Sequence, residues 1–237
     1  MSFDDEDSAN LPLPLNFSGN VRLFPLPGLV LFPGVVQALH IFEPRYRKMM
    51  EDALAGDQTI AMCLPKTAGE SQVPEIHEVI CIGKIVAHAE LDDGRYNLLL
   101  QGVSRAKIVR EIGVEQPYRM AEVTILPDID DVDMETECEF RERLQAHCEG
   151  LQSQDVVKAG LESSVLSDSG VWDDFPVGLL VDLVCFSLPI SSDQRQKILE
   201  TQEVSARAEL LLDFAEALTL RKDPASKVDF PPDFSSN

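Results

Sequence analysis

No window of this chain approaches the run of about eighteen apolar residues that a membrane span requires, so no segment is expected to cross a bilayer. Basic residues are scarce: 20 Lys and Arg stand against 41 Asp and Glu, for a net charge of −21. So acidic a surface repels phosphate backbones and anionic lipid, which argues against nucleic-acid and membrane partners. Cysteines number five, an odd count, and no two stand as C-x-x-C, so no disulfide framework is expected. The opening MSFDDEDSAN lacks a basic region followed by an apolar run, so it does not read as a secretory signal. Reduced thiols and no signal together predict a cytoplasmic protein.

Catalytic patterns are missing too. There is no G-x-x-x-x-G-K-[ST] phosphate loop; Gly83-Lys84 runs on into Ile85 within a strand-like segment. No G-x-S-x-G elbow occurs. Ser191 and Lys197 lie six apart without a supporting pattern. His77, Cys81 and His88 share one region, and Cys138, His147 and Cys148 share another, but neither set has the short paired spacing of a structural zinc site. Buried cysteines and surface histidines are the simpler reading. Carboxylate pairs such as Asp92/Asp93 carry no catalytic weight in so acidic a chain. No metal, no cofactor and no catalytic residue are expected.

What the sequence does have is the stretch 23–46, where Pro25, Pro27, Gly28, Pro33, Gly34 and Pro44 are interleaved with large apolar residues. Proline fixes φ and donates no hydrogen bond, so this is no helix interior. The spacing predicts a strand over 21–24, a turn over 25–28, an apolar segment over 29–32, a turn at Pro33-Gly34 and a strand over 35–41. A helix opens at Pro44, whose missing N–H would have been unpaired there, and Gly56 is placed to end it. Glu43 stands where the helix dipole favours a negative charge.

Further strands are expected over 59–64, over 76–91 with a bulge or close approach at Gly83, over 95–102, over 104–111 and over 118–126. Asp93-Gly94 supplies a hairpin turn and 66–75 a surface loop. Many short strands at regular spacing suggest a closed or nearly closed antiparallel barrel. At Pro127 the character changes. Helices are expected over 135–152, over 156–166, from Asp173 or Asp174 to Ser187, over 191–200 and over 204–220. Ser191 with Gln194 forms a capping box. Val204, Ala208, Leu211, Leu212, Ala215 and Leu218 form one apolar face.

Phe24-Pro25-Leu26-Pro27, Leu31-Phe32-Pro33-Gly34 and His40-Ile41-Phe42-Glu43-Pro44-Arg45-Tyr46 resemble the opening of the LON domain, the N-terminal substrate-recognition domain of ATP-dependent Lon proteases. Asp93-Gly94-Arg95-Tyr96-Asn97-Leu98, Gly102-Val103-Ser104-Arg105 and Pro117-Tyr118-Arg119 resemble its later strands, and the likeness covers roughly residues 20 to 222. It implies an α+β fold: an N-terminal PUA-like β-barrel with one short helix over 20–127, then a C-terminal all-helical bundle over 128–222. Polar tails are expected over 1–19 and 223–237.

Phe24, Leu26, Leu31, Val36 and Leu39 are expected in the core, while Leu29, Phe32 and Phe42, exposed beside prolines, would form an apolar patch. Arg45 and Tyr46 either pair with core strands or line a groove beside that patch, where they would join it in binding. The resemblance implies non-catalytic binding of unfolded or hydrophobic polypeptide segments there. It also implies an accessory place beside a protease or chaperone system in ATP-dependent proteolysis. The Ser-Lys peptidase and ATPase domains of Lon are not in this sequence. An enzyme or small-molecule binder with a site between barrel and bundle is the alternative. An RNA binder is a third reading, which the net charge disfavours.

Overall fold

The computed structural model describes residues 13–14, 17–66, 74–150, 172 and 174–220. The expected loop tip over 67–73, the helix expected over 156–166, both tails beyond these limits and Asp173 as a cap lie outside the described residues. Among the described residues six strands and five helices follow in order: β1 (Asn20–Pro25), β2 (Val36–Ile41), α1 (Pro44–Leu54), β3 (Thr59–Cys63), β4 (Val79–Glu90), β5 (Tyr96–Ile112), β6 (Arg119–Leu126), α2 (Met134–Gly150), α3 (Val177–Ser187), α4 (Ser192–Glu200) and α5 (Val204–Leu220). The chain is thus mixed α and β, with one six-stranded sheet.

The strands run β2-β5-β4-β3-β1-β6, and β5 also pairs with β6. Not every pair is antiparallel, as the sequence had suggested: β1 and β3 are parallel, Leu23 facing Ala61. The intervening β2 and α1 form the long crossover that a parallel pair demands. The two strands expected over 95–102 and 104–111 are one, because Gly102 continues the ladder. Register shifts break the β4–β5 pairing between Ile82 and Gly83, at the expected irregularity.

Gly102 is also where the sheet meets the Phe32–Val35 turn. Gly34 N–H donates to Gly102 O at 2.9 Å, and Gly102 N–H donates to Val35 O at 2.8 Å. A Cβ at Gly102 would stand 2.0 Å from Phe32 O, so only glycine admits this approach. Gly34 has φ +78°, the left-handed conformation the turn requires.

One apolar cluster continues from the sheet (Phe24, Phe32, Met62, Leu100) through α1 (Met49, Met50) into the helices (Phe140, Leu180, Val184, Leu211). A second, smaller cluster holds Val21, Leu23, Ile80, Ile82 and Val123. On α5, five of the six expected face residues are buried, and Leu218 packs partly buried against them. Val36 departs from its expected core position: it stands at 45 % exposure, on the outer face of an edge strand.

Helix ends follow local chemistry. Pro44 opens α1 after Glu43, whose carbonyl accepts from Tyr46 and Arg47. Its C-cap is Ala55 in a right-handed conformation, not a left-handed Gly56. Pro176, not an aspartate, stands before α3. Ser191 and Gln194 close the expected capping box on α4.

Sheet and helices share buried charge. Arg105 of β5 is 2 % exposed and donates to Leu199 O, to Asp128 at 3.1 Å and to Asp182 of α3 at 2.5 Å. Arg207 of α5, fully buried, donates to Asp128 at 2.9 and 2.5 Å. Two cations thus meet two carboxylates, the arrangement buried charge needs.

Candidate functional site

The proline-rich stretch builds one wall of an open groove of about 690 Å³. The end of β1 and its turn supply Phe24, Pro25, Leu26, Pro27 and Leu29; Pro65, Pro74 and Pro117 extend that side. Leu26 N–H donates to Cys63 O, which ties the turn to the end of β3. Opposite stands β2 with its exit, Gln37 to Glu43 without a gap, followed by Arg45 and Tyr46 of α1. Because both faces of a strand alternate, an unbroken series along the groove means that the edge of β2 faces it.

Tyr46 is almost wholly buried, edge-to-face on Phe24 with ring centroids 4.6 Å apart. The Arg45 guanidinium lies 4.5 Å from the Tyr46 ring centre and holds Glu43 at 2.8 Å. Arg119 grips Glu111 at 2.8 and 2.5 Å and Pro74 O at 2.8 Å. These two cations each face a carboxylate of their own, so the groove favours neither sign of charge strongly.

His40 sits between Asn97 (2.7 Å from Nδ1) and Arg95 (3.2 Å from Nε2). Arginine can only donate, so Nε2 accepts, and Nδ1 carries the proton that it donates to Asn97. The ring stacks on Phe42, which stands 59 % exposed at the groove's end.

Four of the five residues expected to bind polypeptide therefore line one groove: Leu29, Phe42, Arg45 and Tyr46. Phe32 does not. It is fully buried beneath its own turn, because the approach of Phe32 O to Gly102 draws the residue inward. Leu26 and Leu39, expected as core, are only partly buried and line the groove instead. That the edge of β2 is unpaired among the described residues was missed: strand order is a long-range property, and the local signal was a short strand over 35–41 like any other.

The phenols in the groove are poor bases or nucleophiles. Burial raises the Tyr46 pKa. Burial, together with a 2.7 Å hydrogen bond to Asp52, pushes Tyr118 up to about 12. The residues weighed for metal ligation are dispersed: His77 pairs with Glu200 at 3.0 Å, and Cys81 is buried. Among the described residues no group of three or more His, Cys, Asp or Glu is placed to hold a metal ion. Ser191 is engaged by Gln194 as a helix cap. A smaller cleft of about 260 Å³ separates Pro33 from the start of α3. Of its carboxylates, Asp128 and Asp182 are taken up by Arg105 and Arg207, and Glu137 by Arg141. Among the described residues no helix is long and apolar enough to cross a membrane.

Comparison with known proteins gives the family and the fold. The Lon protease of Dictyoglomus thermophilum is 25 % identical over 186 residues, 78 % of this chain and 23 % of that protein. Lon protease 2 of Desulfotalea psychrophila is 29 % identical over 197 residues, 81 % of this chain and 24 % of that protein. The chain thus spans about a quarter of the length of the curated relatives it matches. Among solved structures, the Lon N-terminal domain protein from Xanthomonas campestris has a TM-score of 0.57 at 24 % identity, covering 82 % of this chain and 98 % of that one. The N-terminal domain of Mycobacterium avium complex Lon protease has a TM-score of 0.61 at 16 % identity, covering 83 % and 98 %. Both show the same fold. The profile of the ATP-dependent protease La (LON) substrate-binding domain matches residues 20–217. This chain belongs to that family.

Proposed function

We propose that the groove binds unfolded, apolar segments of polypeptide, without catalysis, as an accessory to ATP-dependent proteolysis in the cytoplasm. One observation carries the reading: an open groove walled by proline and leucine, with paired charges, on a chain matched by a LON substrate-binding profile. The ring of pairings β5-β4-β3-β1-β6-β5 is read as a PUA-like barrel and the helices after Pro127 as one bundle. The groove's walls come from the barrel side alone, from β1, β2, α1 and the start of β6. Unfolded chain offers what such a groove accepts: apolar side chains without a fixed partner.

The test is fluorescence anisotropy of the full chain against a labelled, unstructured peptide rich in leucine. Phe42→Glu places charge at the exposed end of the groove, and Leu29→Glu places it on a partly buried wall residue that packs against the core. Each should weaken binding at least tenfold, about 1.4 kcal/mol, and Phe42→Glu should do so with an unchanged melting temperature. Equal affinity in both variants would remove the groove from the account.

A further inference from the structure

The edge of β2 is unpaired among the described residues: the strand ends the sheet order and pairs only with β5. The direction of its main-chain groups follows from the ladder. Gly102 N–H donates to Val35 O, while Val36 faces Gln101 and Ala38 faces Leu99. In an antiparallel pair, hydrogen-bonded and non-hydrogen-bonded positions alternate. Val36, Ala38 and His40 are then the non-bonded positions, and their N–H and C=O groups point away from β5.

A second contact agrees. The Gln37 side-chain amide donates to Ala38 O at 2.6 Å, which caps one outward carbonyl with the strand's own side chain. Proline cannot supply such donors, and the opposite wall carries Pro25, Pro27 and Pro65. One wall of the groove thus offers a row of ladder groups and the other offers mainly apolar surface, with Arg119 held there by Glu111 and Pro74 O. An edge of this kind matches a partner with the same ladder groups: extended backbone.

We infer that polypeptide enters this groove as an added β-strand on the free edge of β2, with alternate side chains on the proline wall. The inference rests on the proposed function and names its mode. It makes the recognised class narrower: extended segments with apolar residues at alternate positions and unblocked amides. Proline at an inward-facing position is excluded. The occupant displaces the Gln37 amide from Ala38 O and takes its place.

The probe is a fluorescein-labelled peptide of alternating leucine and threonine, with lysine at each end, titrated into the full chain. Two further peptides carry N-methyl groups on every leucine nitrogen or on every threonine nitrogen. An added strand turns only alternate N–H groups to its neighbour. One methylated peptide should lose at least about tenfold in affinity and the other less than about threefold, the size expected for lost hydrogen bonds.

Equal binding of all three peptides would overturn the strand mode and leave polypeptide binding standing. Failure of the unmethylated peptide to bind would overturn both. On the protein side, Ala38→Pro removes an outward N–H and no ladder bond, as edge strands tolerate. It should fold normally and weaken the unmethylated peptide at least about fivefold. Unchanged affinity in a folded Ala38→Pro chain overturns the mode. So would sedimentation of the chain alone as a dimer that Ala38→Pro makes monomeric, which would seat a second copy on the edge.

Discussion

Gly102 and Gly34 together hold the turn from which the edge strand β2 departs. At Gly102 a methyl group would strike backbone, which cannot step aside, so Gly102→Ala should destabilise the chain by about 1–3 kcal/mol. Gly34→Val forces a β-branched residue to φ +78° and should cost about 1–3 kcal/mol. Urea denaturation of each variant checks both, and an unchanged midpoint would refute the turn's role. The turn chemistry of Pro33-Gly34 was legible in the sequence. The partner at Gly102 was not, because nothing local announces a contact across so many residues. Phe32 and Phe42 make the same point: both stand near proline, yet one is buried and one is 59 % exposed. Thiols give another residue-scale check. Burial pushes Cys63 and Cys81 up to about 12 and Cys185 higher still. Iodoacetamide on the native chain should label exposed Cys138 first and leave those three unmodified until unfolding, as peptide mapping would show.

At the scale of elements, the α4 capping box and the periodicity were readable, the ends expected at Gly56 and at an aspartate before α3 were not, and neither was pairing. The capping box at Ser191 and the apolar face of α5 are local patterns, and both are present. The parallel pairing of β1 with β3, the exposed edge of β2 and the burial of Arg105 depend on which distant elements meet. Arg105 reads locally as one more polar residue between Ser104 and Ala106, yet it links β5 to α3 and α4. Asp182→Ala would leave Arg105 and Arg207 short of a buried counter-charge, at a cost of about 3–5 kcal/mol. Chemical denaturation should show that loss, and a loss below about 1 kcal/mol would mean that the pair is dispensable. Burial by itself would raise the Asp128 pKa, but the hydrogen bond and charge of Arg207 and the charge of Arg105 outweigh it, and the net shift is downward. A carboxyl lower in the folded than the unfolded state stabilises the fold above the ordinary aspartate value of about 3.9. That stability fades as pH falls through the lower folded value. Asp128→Asn should therefore flatten the acid side of the stability profile below about pH 4, and an unaltered profile would contradict this.

Across the whole molecule, one apolar cluster joins sheet and helices, so the two parts of the chain should not be equally stable when separated. A fragment of residues 1–128 would expose the sheet residues that now face α2 to α5. It should melt below the full chain or aggregate, and equal stability would sever the two cores. The groove lies on the sheet side of that junction, formed by β1, β2 and α1, so its function depends on the junction only through the stability of its walls. The change from strands to helices was legible in composition, because proline, glycine and β-branched residues give way to helical periodicity after Pro127. Whether any surface was a groove was not legible, since it takes β1, β2, α1 and the start of β6 to enclose one. The measurement closest to the central claim is photo-crosslinking of the full chain with the leucine–threonine peptide carrying benzoylphenylalanine at its centre, mapped by mass spectrometry. Crosslinks should fall within residues 23–46, on the turn after β1, on β2 and on the first turn of α1. Crosslinks confined to α2 to α5, or none at saturating peptide, would contradict the account.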